Sequence, residues 1–388
     1  MNIEIVKKNQ CTGCFACASV CPKNCMDLLV DEEGFSVPTI NTAQCIDCGK
    51  CVRVCPAYNE VDLLKPVEVY AATARNQSEI NRSSSGGAFF LLAKHFIEKE
   101  QGYVCGAILD ENLELKHYIT DKMEDVIKMQ GSKYIQSDIK DCIPKIVDLC
   151  KNEKKVLFCG TPCQVIAVKQ VLKNRDNNLY TLDLICHGTP SARKFSQYMK
   201  QAYGKGYYND FSFRQRNKYV LTTFSYFWKE AKKRVFAYDD PFFQAFLDGH
   251  NYRESCYTCK YARSTRCGDI TIGDCANARQ YKSLTGKPIS TIAVNSLKGK
   301  QMWEEIKGVT EFVEANYERE SKMNKQLHES VTRSSLRDDF YNDLEKLSMD
   351  ELRIKYCYTQ TFKDKLKQFI IWHIPANIRY KIIKLIRR

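Results

Sequence analysis

The sequence predicts a mixed α/β chain in two parts, a short cysteine-rich module followed by a larger layered domain. Three observations support this division. Eight of the 20 cysteines stand in two copies of one spacing near the N-terminus. Strand-like and helix-like segments then alternate, which favours an α/β layered domain. Finally, 388 residues suffice for two or three domains with a sizeable core.

A repeated Cys-x2-Cys-x2-Cys-x3-Cys-Pro motif defines the first part. The two copies lie at Cys11, Cys14, Cys17 and Cys21, and at Cys45, Cys48, Cys51 and Cys55. This is the ligand spacing of a bacterial-type ferredoxin with two 4Fe-4S clusters, in which the fourth cysteine of each copy binds the other cluster. The motif therefore predicts a ferredoxin domain over residues 1–60. One cluster would be bound by Cys11, Cys14, Cys17 and Cys55, and the other by Cys45, Cys48, Cys51 and Cys21.

Zinc is the alternative metal for this module. Structural zinc sites also take four cysteines, but they usually join two cysteine pairs by a longer loop. The doubled spacing favours iron–sulfur clusters. Cys25 lies outside the motif and is predicted to be a spare thiol.

Composition and charge restrict the location and the binding partners that we expect for the protein. Met1–Gln10 contains no apolar signal-peptide segment, and no run of about eighteen apolar residues is present. Cysteines in ligand spacings then predict reduced thiols and a cytoplasmic location. Of the net charge of +13, residues 362–388 contribute +7. The basic balance is therefore mostly a property of the tail and does not indicate nucleic-acid binding.

The elements of the second part follow a linker over residues 57–66. Strands are predicted at residues 67–72, 103–109, 156–159 and 179–185. Helices are predicted at 88–100 and 139–151, and in two segments that end near residues 173 and 203. The aromatic-rich segment 207–238 is predicted to form antiparallel strands.

Four further cysteines predict a third cluster. Cys163 and Cys186 each follow a predicted strand, and the carboxyl ends of neighbouring parallel strands lie together. Cys256 and Cys259 form a Cys-x2-Cys pair in a loop-like segment. Together these thiols could bind a 4Fe-4S cluster, although a four-cysteine zinc site and ordinary buried thiols are alternatives. A misassigned ligand would be replaced by Cys267 or Cys275.

A flavin site is predicted from the chemistry that clusters need. Clusters carry single electrons, and a flavin can exchange one or two electrons with an organic substrate. The loop Ser83–Gly87 precedes a predicted helix, whose N-terminal N–H groups favour phosphate. Gly131–Tyr134 adds a cation at Lys133, which is otherwise a solvated surface charge. No GxGxxG motif follows the first strand, so a Rossmann dinucleotide site is not supported.

These segments together resemble one family, the coenzyme F420 hydrogenase/dehydrogenase beta subunits. The matching segments are Ser84–Gly87, Gly131–Ser137, Gly160–Gln164, Asp183–Gly188, Cys256–Lys260 and Asp269–Asp274. The ferredoxin module resembles the fused form of the family. The sequence departs from the family pattern at 275–277, where Cys-Ala-Asn replaces an aromatic pair, and this puts the substrate pocket in doubt.

The resemblance implies a mixed α/β, flavin-binding oxidoreductase domain over residues 67–345, with FAD near an internal 4Fe-4S cluster. The implied FAD-binding residues are Ser84, Ser85, Gly86, Gly87, Ser132, Lys133, Tyr134 and Thr161. The implied cluster ligands are Cys163, Cys186, Cys256 and Cys259.

The expected function is that of an iron–sulfur flavoprotein oxidoreductase. Electrons would pass between a ferredoxin-like carrier or partner redox subunit, the clusters, FAD and a two-electron substrate. The resemblance leaves F420, another organic molecule and a polysaccharide-pathway intermediate as substrates. The alternatives are a non-catalytic electron-relay subunit of a larger complex and a zinc-bound scaffold.

Two residues are candidates for proton transfer to a substrate. His187 follows Cys186 at a strand end and would face the site. It could act as an acid, tune the cluster or make a capping contact. Lys133 is the second candidate.

The last predicted unit is a basic amphipathic tail over residues 346–388. Its two apolar faces, separated at Pro375, comprise Phe362, Leu366, Phe369 and Ile370, and Ile378, Ile382, Leu385 and Ile386. Such helices can lie on an anionic membrane surface or pack on the protein itself. In the first case, residues 362–388 would hold the protein at the inner face of the membrane, near a lipid-linked substrate.

Overall fold

The N-terminal module repeats its backbone as well as its cysteines. The computed structural model describes residues 1–173, 177–204, 206–216, 223–231, 234–374 and 378. The elements of the module are α1 (Ala16–Ser19), β1 (Met26–Val30), β2 (Ser36–Ile40) and α2 (Lys50–Arg53). Strands β1 and β2 form an antiparallel hairpin. Each helix begins after a residue with positive φ, Phe15 at 59° and Gly49 at 70°, so the third cysteine of each motif lies in a helical first turn.

The second part is built from eleven strands among the described residues. In chain order they are β3 (Glu68–Ala74), β4 (Tyr103–Leu109), β5 (Leu115–Thr120), β6 (Val156–Gly160), β7 (Leu179–Leu184), β8 (Ser212–Gln215), β9 (Thr223–Phe227), β10 (Val235–Phe236), β11 (Ile270–Asp274), β12 (Ser290–Val294) and β13 (Thr310–Glu314). Eight of them form one sheet in the order β13-β3-β12-β11-β7-β6-β4-β5. The central strands β11, β7, β6 and β4 run parallel, and the outer neighbours are antiparallel. Strands β8–β10 form a separate antiparallel sheet.

Eleven α-helices are described in the second part, and some of them cover the two faces of the large sheet. They are α3 (Ala88–Glu98), α4 (Met123–Met129), α5 (Cys142–Lys151), α6 (Pro162–Leu172), α7 (Ala192–Tyr203), α8 (Pro241–Leu247), α9 (Leu297–Lys307), α10 (Tyr317–Met323), α11 (Arg337–Lys346), α12 (Met349–Tyr356) and α13 (Phe362–His373). One buried cluster joins α3 and α9 to the sheet around Leu92, Leu182 and Trp303. A second cluster joins α5 and α6 to it around Ile143 and Phe158. The predicted mixed α/β fold is confirmed.

The ferredoxin-like module packs directly on this domain. Its residues Cys14, Ala16 and Val54 belong to the same buried cluster as α5 and α6. Arg337 donates to both carboxylate oxygens of Glu33, at 2.7 and 2.5 Å. Because apolar burial and a bidentate ion pair act at separate points of the contact, the module has one fixed orientation on the domain.

The C-terminal helices differ in how deeply they pack. Leu352 of α12 is buried in an aromatic core formed with β8–β10, α7 and α8. On α13, Ile370 is buried, whereas Phe362 and Phe369 are 80% and 58% exposed. The predicted tail positions Pro375, Ile382, Leu385 and Ile386 lie outside the described residues. Within the described ranges, no helix has the length and apolar character needed to cross a membrane.

Candidate functional site

A cleft of about 290 Å³ opens at the carboxyl ends of the parallel strands. The residues that follow β6 and β7 line it, together with the last three residues of β11, and this is where open α/β sheets bind ligands. The sequence-predicted residues that line it are Ser84, Ser85, Gly87, Ser132, Lys133, Tyr134, Thr161, Cys163, Cys186 and His187. Gly86, Cys256 and Cys259 are not among the lining residues. Segments far apart in sequence therefore meet at one cavity.

The Ser/Gly loop forms one wall of the cleft. The Ser132 backbone N–H donates to Ser84 Oγ at 2.7 Å, and the hydroxyls of Ser85 and Ser290 are hydrogen-bonded at 2.8 Å. A Cβ at Gly86 would overlap the Ala72 carbonyl oxygen, so glycine allows the loop to lie directly on β3. Helix α3 starts after Gly87, which has no side chain to cap it.

Arg216 holds this loop from the opposite side and was missed by the sequence analysis. Its guanidinium donates to the carbonyls of Ile80 at 3.3 Å and Ser85 at 2.8 Å, and also to that of Ser83. Burial lowers the pKa of Arg216 to about 10, and the nearby charge of Arg214 acts in the same direction. Since three carbonyls share one rigid fork, Arg216 fixes the shape of the loop.

Lys133 lies at the end of a helix. Its Nζ donates to the carbonyls of Lys128, Met129 and Gln130, at 3.2, 2.7 and 2.9 Å. A cation at this end of α4 interacts favourably with the helix dipole. Burial lowers the pKa of Lys133 to about 7, opposed by the charge of Cys159. The ammonium thus has structural partners, and its predicted roles toward a ligand stay predictions.

A row of polar groups crosses the mouth of the cleft. Arg214 Nη1 donates to Asp274 Oδ2 at 2.6 Å and to the Tyr134 hydroxyl at 3.4 Å. The Tyr134 ring stacks on Phe246 with centroids 4.7 Å apart. Burial lowers the pKa of His187, and the charge of Asp274 opposes this shift. His187 lines the cleft beside these groups, and its predicted role in proton transfer stays a prediction.

His117 is a second polar residue that the sequence analysis missed. It lies on β5, lines the cleft, and its Nε2 is 2.9 Å from the Cys159 carbonyl oxygen. A carbonyl can only accept, so Nε2 carries the proton and Nδ1 has a free lone pair. Nδ1 is buried, and no described residue hydrogen-bonds to it. Burial lowers the pKa of His117 to about 4, so the ring stays neutral and Nδ1 can accept a ligand N–H.

Thr161 and Cys163 are placed by the start of α6. Thr161 and Gln164 form a capping box, and Thr161 Oγ1 lies 3.2 Å from Cys163 Sγ. Cys163 is in the first helical turn, where the dipole stabilises a thiolate. Thr161 therefore supports a candidate ligand as well as lining the cleft.

The structure brings the four internal cysteines together. Burial raises the pKa of Cys163, and the charges of Cys259, Cys186 and Cys256 raise it further. Burial likewise raises the pKa of Cys186 to about 12 and that of Cys256 to about 11. Such thiols need a bound cation to stay ionised. Cys275, a proposed substitute, packs instead with Ala71, Leu284 and Ile289.

The donor set fits an iron–sulfur cluster. Four sulfur donors, with no oxygen or nitrogen among the predicted ligands, match the ligands of a 4Fe-4S cluster. In the ranges that the structure describes, no three His, Cys, Asp or Glu side chains are grouped to hold one metal ion. A four-cysteine zinc site has the same donors, so metal analysis separates the two alternatives.

The ferredoxin cysteines separate into two sets. The inner set is Cys11, Cys14, Cys17 and Cys55, and the outer set is Cys21, Cys45, Cys48 and Cys51. In the inner set, the charges of Cys14, Cys11 and Cys55 add to burial in raising the pKa of Cys17. The outer set lines a small void of about 20 Å³ through Cys21, Cys45, Cys48 and Cys51. Backbone N–H groups donate to Cys11 and Cys45 from two residues further along, each at 3.4 Å. Cys25 also lines the void, with its sulfur 3.4 Å from that of Cys21.

The inner set faces the internal cysteines. Burial raises the pKa of Tyr261, and so do the charges of Cys163, Cys14 and Cys259. Its hydroxyl donates to the Pro56 carbonyl at 2.9 Å, next to a predicted ligand of the inner set. Tyr261 packs in one cluster with Cys14 of the inner set and with Cys163 and Cys259, so the two cysteine sets are neighbours.

Comparison with known proteins yields two matching family models. Residues 153–319 match the model of the C terminus of the coenzyme F420 hydrogenase/dehydrogenase beta subunits, and residues 10–59 match the 4Fe-4S dicluster domain. The resemblance predicted from the sequence is confirmed.

Individual relatives are more distant. The chain is 30% identical over 207 residues to the uncharacterized protein MJ1349 of Methanocaldococcus jannaschii, covering 45% of this chain and 56% of that protein. The match therefore spans little more than half of that relative. A chain of the xenon-derivatised F420-reducing NiFe hydrogenase complex from Methanosarcina barkeri is similar at 16% identity and a TM-score of 0.49, over 79% of this chain and 94% of that chain.

Proposed function

We propose that this chain, which joins a 4Fe-4S dicluster domain to a domain like the C terminus of the F420 hydrogenase/dehydrogenase beta subunits, is an iron–sulfur flavoprotein oxidoreductase. Electrons would pass between an external one-electron carrier or partner subunit and a two-electron substrate. The observation that carries the proposal is the shared cleft, because seven of the eight flavin candidates and two internal cysteines line one cavity. A molecule bound there would lie against the internal cysteine set.

The arrangement of the cysteine sets supports an order for electron transfer. Clusters supply single-electron steps and a flavin couples them to two-electron chemistry. Cys45 and Cys48 of the outer set are partly exposed, whereas Cys14, Cys17 and Cys55 of the inner set are buried. An external carrier would therefore meet the outer set first, and the inner set would connect it to the internal cysteines.

The cleft residues would bind and orient FAD. Arg216 holds the Ser/Gly loop in the shape in which its backbone and hydroxyl groups can meet phosphate. His117 Nδ1 offers an orphaned acceptor among the lining residues, and the isoalloxazine ring carries an N–H that it could accept. Neutral His187 beside Asp274 would take a proton from the substrate, or return it in the reverse direction.

The substrate class stays open between F420, another organic molecule and a polysaccharide-pathway intermediate. A relay subunit without turnover of its own is the second candidate, since the matching family model describes a beta subunit. Purified protein tested with F420, NAD(P)H, ferredoxin and sugar substrates separates the two. Turnover by this chain alone would exclude the relay function.

The decisive experiment is anaerobic purification with iron, sulfide, zinc and flavin counts. About twelve irons per chain are expected for three clusters, with four irons at each four-cysteine site. About eight irons would remove the internal cluster from the proposal. Zinc without iron would leave only the scaffold function, and clusters without FAD would leave an electron-transfer protein.

A peripheral membrane contact at the cytoplasmic face is a further part of the proposal. The exposed Phe362 and Phe369 on α13, beside basic residues of the same helix, support it. The buried Ile370 and the edge-on contact of Trp372 with Phe236 show that the other side of the helix packs on the protein. Truncation after Gln360 should abolish co-sedimentation with anionic liposomes and leave the flavin content unchanged.

A further inference from the structure

Arg253 occupies the contact between the inner cysteine set and the internal one. Its side chain is buried, with the residue 4% exposed. Nε donates to the Cys11 carbonyl at 2.7 Å, and Nη2 donates to the Ser36 carbonyl at 2.8 Å and to Cys11 Sγ at 3.9 Å. Nη1 donates to Gln136 Oε1 at 3.0 Å. Each of these hydrogen bonds is therefore with a neutral oxygen or with a predicted cluster ligand.

The same residue is tied to the internal cysteine set. The Cys256 backbone N–H donates to the Arg253 carbonyl at 2.8 Å. Arg253 is thus hydrogen-bonded to ligands of two sets, to Cys11 through its guanidinium and to Cys256 through its backbone carbonyl.

No carboxylate neutralises Arg253 within the described part of the chain. The two other deeply buried arginines of this region are paired, Arg266 with Asp183 and Arg337 with Glu33. A buried guanidinium without a counter-charge is strongly disfavoured. The groups beside it that would carry negative charge are the two thiolate sets. A 4Fe-4S cluster with four thiolates has a net negative charge, which grows by one when it accepts an electron.

We propose that Arg253 is the shared counter-ion of two clusters, the inner cluster of the module and the internal cluster of the second domain, which are together called the two inner clusters. Its positive charge raises the reduction potential of both relative to that of the outer cluster. The proposal rests on the proposed function, because it requires loaded clusters. A positive charge favours the more negative, reduced state of each cluster. With the clusters bound, an electron given up by the outer cluster would be accepted by the inner or the internal cluster, without proton transfer or bond change. The external one-electron carrier restores the outer cluster.

The test is a redox titration of anaerobically purified full-length protein, followed by electron paramagnetic resonance. Arg253→Met should lower the equilibrium constant for reduction of the two inner clusters by about tenfold, which lowers each reduction potential by about 59 mV for one electron. The outer cluster should not shift. Arg253→Lys keeps the charge, so its potentials should stay closer to those of the parent protein than those of Arg253→Met.

Arg337→Met is the matched control. It removes another buried arginine at the same domain contact, but one whose charge Glu33 already neutralises. It should loosen the contact without shifting the inner potentials. If Arg253→Met does not load iron, Arg253→Gln serves as the neutral variant, since its amide can still donate to the Cys11 carbonyl.

Two results would overturn the proposal. One is unchanged inner potentials in the neutral Arg253 variants, and the other is an equal shift in Arg337→Met or Arg253→Lys. A parent protein without 4Fe-4S signals would instead refute the proposed function. The two failures are therefore distinguishable in the same experiment.

Discussion

The two groups of candidate cluster ligands are encoded in opposite ways. In the module, eight cysteines lie within residues 11–55, and two single-turn helices repeat the same geometry. In the second domain, four cysteines come from a helix start, a strand end and a loop, across residues 163–259. The first group needs only local turns, whereas the second exists only when the sheet has formed. This contrast shows why one group can be read directly from spacing and the other cannot.

The largest effect is expected when one cysteine of the second domain is replaced, because the two groups of ligands should then respond differently. Cys163→Ala should remove about four of about twelve irons and leave the two module clusters intact, because the two groups share no ligand. Iron counts and electron paramagnetic resonance of the reduced protein measure this. Cys357→Ala is the control, since this half-buried thiol lies outside both groups. An unchanged iron count in Cys163→Ala would show that the dispersed group binds no cluster.

The second prediction concerns the residue that follows Cys186. His187→Gln should reduce turnover by about 10²-fold, the usual contribution of a proton-transfer group. Because burial lowers the pKa of His187, the neutral base forms as pH rises through a value below that of free histidine. Turnover should therefore increase with pH in the acid range and then level off. The variant should lose this rise, and a profile identical to that of the parent would exclude His187 as the base.

A smaller effect is expected at His117, which lines the cleft together with two of the four internal cysteines. His117→Phe should weaken FAD binding by about tenfold, since an unpaired buried N–H costs about 1–3 kcal/mol. Fluorescence titration of the flavin-depleted protein measures the affinity. His250→Phe is the matched control, because His250 also has an orphaned Nδ1 but does not line the cleft. Equal losses in both variants would contradict the specific role.

The smallest effect concerns the contact between the ferredoxin-like module, which carries the local group of eight cysteines, and the second domain, which carries the dispersed group of four. Glu33→Gln removes the charged partner of Arg337 and should destabilise the domain contact by about 1–3 kcal/mol. Limited proteolysis should then cut the linker over residues 57–66 faster. The iron count should not change, because neither residue is itself a predicted ligand. Loss of iron in this variant would mean that the local group depends on docking.

Much of the fold followed from pattern alone. The bounds predicted for β4, residues 103–109, are those observed, and the predicted strands at 156–159 and 179–185 differ from β6 and β7 by one residue. β4 and β6 are continuous apolar runs with Gly in or next to them, as expected at the centre of a parallel sheet, whereas β7 also carries Thr181 and Asp183. No element was predicted over residues 115–129, because β5 and α4 are short and mix polar with apolar side chains.

The residues missed at the site share one property, which is that their partners are distant in sequence. The tautomer of His117 depends on a carbonyl on β6, and the position of Arg216 depends on carbonyls of the Ser/Gly loop. Arg253 is defined by Cys11, more than half the chain away. A single histidine or arginine has no spacing signal, so its chemistry appears only when its neighbours are placed.

The sequence by itself determined the ferredoxin ligand runs, the mixed α/β class and the segments that resemble a known family. These features depend on local spacing and on periodic apolar residues, which act before the chain folds. Only the tertiary structure decided that the inner set faces the internal cysteines, that Lys133 ends a helix, and that Arg253 lies between two ligand sets without a carboxylate partner among the described residues. Burial and charge are sums over neighbours from the whole chain, and the fold alone brings those neighbours together.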